Sequence, residues 1–133
     1  MATKNSLRND QIKELLAFQC SKRTKDLAKV IPAKFVAVIA HDDLDRVAAE
    51  SLVAAKVSAV INTRPSVTGR YPNGGPNVLL EANIPLIDID QDIDVCEEFN
   101  NVSIDNNNKT VKFSKLVTSK QSGSETIDLV FKA

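Results

Sequence analysis

Two β-branched apolar runs, Phe35-Val-Ala-Val-Ile-Ala40 and Val57-Ser-Ala-Val-Ile-Asn62, flank a stretch of helical period. This arrangement limits the fold more than any other feature of the 133-residue chain. Continuous apolar runs of this length read as strands buried on both faces, the pattern of a parallel sheet covered by helices. Between them Leu44, Val47, Ala48, Ser51, Leu52 and Ala55 recur at helical spacing, while Asp45, Arg46, Glu50 and Lys56 mostly face outward. Asp42 or Asp43 is placed to cap that helix. The unit is β-α-β, and its crossover should be right-handed.

The unit extends in both directions. Arg64 to Pro76 is a 13-residue segment with three glycines and three prolines, longer than most strand-to-helix connections. A short helix over 77–82 follows, with Pro76 in its first turn and Asn83 as a left-handed terminator. Ile84-Pro-Leu-Ile-Asp-Ile89 then supplies a third strand. Upstream, residues 1–9 read as a loose terminus, and Ile12, Leu15, Leu16 and Gln19 have the spacing of a short helix that Asp10 is able to cap. Residues 20–27 read as a basic connector, and Ile31-Pro32 ends any helix before it. After Asp90 helical period vanishes. Short strands are expected over 102–105, 110–113, 116–119 and 127–131, with Asn106-Asn107-Asn108 and residues 121–124 as turns between antiparallel neighbours. The expected fold is mixed α/β: one domain over 1–133, with a parallel β-α-β-α-β core at 35–89 and a β-rich part at 95–133.

Composition narrows the class. With 43% hydrophobic and 26% charged residues the chain should fold without help from disulfides, and its longest apolar run is far short of the ~18–20 residues of a membrane span. No secretory signal is apparent at the N-terminus, so a cytoplasmic location is expected, with Cys20 and Cys96 as reduced packing thiols. Net charge is zero, but residues 1–40 hold eight Lys or Arg against three acids, and residues 81–105 hold eight acids and no base. Without tryptophan or aromatics interleaved with the basic residues, the basic stretch does not read as a nucleic-acid surface.

Two segments have the residue types for chemistry. His41-Asp42-Asp43-Leu44-Asp45-Arg46 sits where a strand ends and a helix begins, the edge at which ligands gather in parallel sheets. Three carboxylates are suited to Mg²⁺, but neighbours in a chain cannot all converge on one ion; the plain alternative is that Asp42 and Asp43 cap the helix, Asp45 pairs with a base and His41 is a surface residue. The second segment, 63–76, has the parts of an anion cradle: Arg64, Arg70, Ser66, Thr68, and the backbone around Gly69, Asn73, Gly74 and Gly75 at a helix start. Its plain alternative is a stiff loop whose arginines pair with the acids of 41–45. The segment matches neither the P-loop nor the GxGxxG fingerprint. No second histidine and no activated serine or cysteine is present to complete a nucleophile-and-base site.

These segments carry a resemblance. The run from Ala37 to Asn62, then Pro65-Ser-Val-Thr-Gly-Arg-Tyr-Pro-Asn-Gly-Gly-Pro76, then Leu79-Leu-Glu-Ala-Asn-Ile-Pro-Leu-Ile-Asp88, resembles the N-terminal domain of SteA-like proteins, bacterial cytokinetic-ring proteins related to thiamine pyrophosphokinase. About half of the chain is covered. Relatives usually have glycine where this chain has Asn83, and residues 90–133 match less clearly. The resemblance implies a role in cell division, a division-protein partner, and a pyrophosphokinase-like domain following this one in a longer protein. A looser similarity to the swivelling phosphohistidine domains supports a swivelling-type architecture only. Their histidine sits at the loop-helix junction, where this chain has residues 73–76, and the sole histidine here is His41.

The leading expectation is therefore a non-catalytic domain with no cofactor or metal, binding a phosphate-bearing small molecule at a strand-end lip. That lip comprises Asp43, Asp45 and Arg46 from one turn and Arg64, Ser66, Thr68, Gly69, Arg70, Asn73, Gly74 and Gly75 from the other. Arg64 or Arg70 should meet Asp43 or Asp45 there, or both arginines should face an anion such as a phosphate. The alternatives are an enzyme of nucleotide or thiamine diphosphate chemistry using Mg²⁺ on Asp42, Asp43 or Asp45, and a module that homodimerises through its exposed hairpins.

Overall fold

The computed structural model describes residues 16–69, 74–90, 99, 101–105, 110–116 and 124–130. Seven strands and three helices follow in the order β1 (Leu16–Ser21), α1 (Thr24–Val30), β2 (Val36–Ile39), α2 (Arg46–Ala54), β3 (Ala59–Asn62), α3 (Gly75–Glu81), β4 (Leu86–Asp88), β5 (Asn101–Asp105), β6 (Thr110–Leu116) and β7 (Ser124–Val130). They form one mixed sheet in the order β4-β3-β2-β1-β5-β6-β7. Strands β1 to β4 are parallel and β5 to β7 add on antiparallel. The fold class is mixed α/β, as expected from the sequence.

The apolar runs act as expected of strands buried on both faces. In β2, Val36 and Val38 enter one core while Ala37 and Ile39 enter the other; in β3, Ala59 and Ile61 oppose Val60. Each parallel strand lies beside its sequence neighbour, so crossovers of one hand bring all three helices to one face. Leu27 of α1, Ala48, Ala49 and Leu52 of α2 and Leu79 of α3 accordingly share a core with Ala37, Ile39 and Val60. The opposite face packs against Val102, Val111 and Phe113 of the antiparallel strands, and Phe18 meets Phe113 edge-on, with centroids 5.3 Å apart. Each fully buried Ile or Leu contributes about 1.5–3 kcal/mol of burial.

Four expectations need correction. Residues 16–19 are not helical: Leu16, Phe18 and Cys20 alternate onto one apolar face, and pairing with β2 and β5 overrides their helical spacing. Residues 24–30 are not an irregular connector but the helix that a β1-to-β2 crossover requires; it ends at Ile31, extended before Pro32. The separate strands expected over 110–113 and from 116 onward are one continuous strand, β6, with residues 117–119 outside the described set. Cys20 is disulfide-bonded rather than a free thiol, and Cys96 lies outside the described residues. Among the described residues no helix is long and apolar enough to cross a membrane. Asp10, Asn106-Asn107-Asn108 and residues 121–123 lie outside the described set.

Candidate functional site

The carboxyl ends of β2 and β3 deliver the two polar turns to one edge of the sheet. The amides of Asp43 and Leu44 donate to the carbonyls of Pro65 and Ser66 at 2.9 and 3.1 Å, so segment 64–68 lies along the 41–45 turn as a strap. Asn62, the last residue of β3, is fully buried beneath them. Its Oδ1 accepts from the amides of His41 and Arg64, both at 3.0 Å, and its Nδ2 donates to the His41 carbonyl and to Ser66 Oγ, both at 2.9 Å. One side-chain amide thus fastens both turns to the sheet, using two donors and two acceptor positions.

Strand β4 fastens the strap from the other side. Asp88, its last residue, accepts from Ser66 Oγ at 2.5 Å and from the Ser66 amide at 3.0 Å. Asp43 does the same for Thr68, accepting from its amide at 2.7 Å and its hydroxyl at 2.6 Å. Asp43 is buried with φ 50°, a left-handed conformation that aspartate tolerates better than most residues. The strap then reaches Gly69 at φ 85°, where glycine is free of the Cβ penalty.

Helix α2 starts later than its apolar spacing suggests. Asp45, not Asp42 or Asp43, is the N-cap, its Oδ1 accepting from the Ala48 amide at 2.7 Å. Asp43 is held by the strap, and Leu44 is fully buried ahead of the helix. Val47 therefore falls off the apolar stripe and is exposed. Gly75 packs onto the same turn: its amide donates to the Leu44 carbonyl at 3.1 Å, and a Cβ there would lie 2.5 Å from Leu44 O and 2.7 Å from Asp45 O. Gly74, the residue before α3, lies beside Arg46, whose Nε is 3.3 Å from Glu50.

Arg64 pairs with an acid of the 41–45 turn, as in the stiff-loop alternative, but with Asp42 rather than Asp43 or Asp45. Arg64 forks onto Asp42, Nε to Oδ1 at 2.8 Å and Nη2 to Oδ2 at 3.3 Å. It does not meet Asp43 or Asp45, because those carboxylates are already oriented by Thr68 and Ala48. Arg70 and Asn73 lie outside the described residues. Of the expected lip, the structure brings together Asp43, Asp45, Arg46, Arg64, Ser66, Thr68, Gly74 and Gly75. Among the described residues no group of three His, Cys, Asp or Glu side chains is placed to hold a metal ion.

On the far side of the 41–45 turn a cleft of about 530 Å³ opens between the starts of α1 and α2. Its walls include Lys22, Arg23, Lys25, His41, Asp45 and Val47. Sequence reasoning did not assign this cleft, nor the roles of Asn62 and Asp88. The available signal was that the apolar runs of β3 and β4 reach a polar side chain at the carboxyl edge, Asn62 and Asp88. In comparisons with known proteins, no family model, curated protein or solved structure matches the chain.

Proposed function

We propose that this chain is a non-catalytic binding domain that takes a phosphate-bearing small molecule at the carboxyl edge of its parallel strands, within a SteA-like bacterial division protein. The observation that supports the binding role is the joining of both polar turns at that edge, where basic side chains border an open cleft. The cell-division setting and a division-protein partner rest on the sequence resemblance alone.

Binding is favoured over catalysis by how the carboxylates are used. Asp42 pairs with Arg64, Asp43 orients Thr68 and Asp45 caps α2, three different partners in three directions. Convergence on one Mg²⁺, which the diphosphate-transfer reading requires, would break these bonds. Isothermal titration with nucleoside and thiamine diphosphates, with and without Mg²⁺, tests the proposal. Saturable heat that is the same with and without the metal is expected. Heat that requires Mg²⁺ contradicts the non-catalytic reading, and absence of heat contradicts the binding role.

A further inference from the structure

We infer that the anion is held in the cleft between α1 and α2, by Lys22, Lys25 and the Thr24–His41 pair, and that its class is an organic phosphomonoester. This rests on the proposed binding role and assigns it to residues other than the 64–75 lip.

Lys22, Arg23 and Lys25 line the cleft against Asp26 and Asp45. Asp26 has Arg23 at 3.9 Å, and Asp45 already accepts from the α2 backbone. Among the described residues, Lys22 and Lys25 have no hydrogen-bond or ion-pair partner, and both are exposed. Two ammonium groups without a partner at a concave surface favour an anionic ligand, with Asp26 set against Arg23 and one Asp45 oxygen taken by the α2 cap.

The cleft wall also holds a hydrogen-bond donor left over. Thr24 is buried, and its Oγ1 lies 2.9 Å from His41 Nδ1. If the hydroxyl donates to Nδ1, the imidazole keeps its hydrogen on Nε2. If Nδ1–H donates to the hydroxyl, Thr24 keeps its own hydrogen. Either tautomer leaves one donor over. The nearest carboxylate oxygen to Nε2, on Asp45, is 3.9 Å away, too far for a hydrogen bond. A phosphate oxygen in the cleft is suited to accept from that donor.

About 530 Å³ exceeds the space a bare phosphate fills and lies within the range of small-molecule sites. Val47 and Ala48 give the cleft an apolar wall, and Val47 is exposed despite its β-branched side chain. The cations suit the phosphoryl group, and the wall suits the body of an ester.

The test is an amide chemical-shift titration of the full chain with inorganic phosphate, ribose 5-phosphate and adenosine 5′-monophosphate. The inference expects saturable shifts at residues 22–26, 41 and 45–48, with an ester binding more tightly than inorganic phosphate. Lys22→Ala with Lys25→Ala should weaken ester binding by about tenfold or more. Thr24→Val, which keeps the shape and removes the hydroxyl, should weaken it as well, whereas Arg64→Gln should leave it unchanged. Saturable shifts confined to residues 64–69, and lost in Arg64→Gln, overturn the cleft assignment while the strand-edge binding role stands. Absence of saturation with every probe up to about 10 mM overturns both. Equal affinity for inorganic phosphate and the esters overturns the phosphomonoester class.

Discussion

The two sides of the 41–45 turn are both polar but have opposite characters. On the strap side, Asn62, Ser66, Thr68, Asp43 and Asp88 all bond one another or the backbone beneath them. On the cleft side, Lys22 and Lys25 have no partner among the described residues, and Thr24 with His41 leaves a donor over. A satisfied polar network in a buried place fixes geometry, whereas unpaired charge at a concave surface favours a ligand. The strap holds the 41–45 turn whose His41 and Asp45 line the cleft, and in the proposed binding mode the cations supply the affinity.

This contrast predicts a steep gradient of stability effects. Asn62→Ala should cost the most, about 3–4 kcal/mol in urea unfolding, because the part-buried amides of His41 and Arg64, the His41 carbonyl and the buried hydroxyl of Ser66 all lose a partner. A loss near 1 kcal/mol or less would mean that water replaces Asn62 and that the strap is not fixed by it. Gly75→Ala comes next, at about 2 kcal/mol, since its Cβ would press on backbone oxygens that cannot rotate away. Arg64→Gln should lower stability by less than about 1 kcal/mol, as its pair with Asp42 is half exposed on both sides. Lys22→Ala with Lys25→Ala should change stability by no more than about 0.5 kcal/mol, so that any effect on ligand affinity is separable from folding.

How far the sequence disclosed this arrangement depends on where each signal was stored. The strands β2, β3 and β4 were legible because burial on both faces writes a continuous apolar run. Asn83 was legible as a left-handed terminator, and its φ is 61°. The β1 strand was not, because Leu15, Leu16 and Gln19 also satisfy helical spacing, and the pairing that decides the matter lies with Val36 to Ile39. Missing β1 concealed α1 as its crossover, and with it the whole basic wall of the cleft. The choice of Asp45 over Asp42 and Asp43 as the cap was hidden for a related reason. It depends on Pro65, Ser66 and Thr68 holding the 43–44 backbone, a contact spanning more than twenty residues.

The central claim is that the 41–45 turn and the 64–68 strap form one hydrogen-bonded unit with the sheet. Native-state amide hydrogen exchange tests it most directly. The account predicts that the amides of Asp43, Leu44, Ser66 and Thr68 exchange nearly as slowly as those of β2 and β3, by unfolding of the domain as a whole. Fast exchange at these four amides, with β2 and β3 still protected, would contradict it.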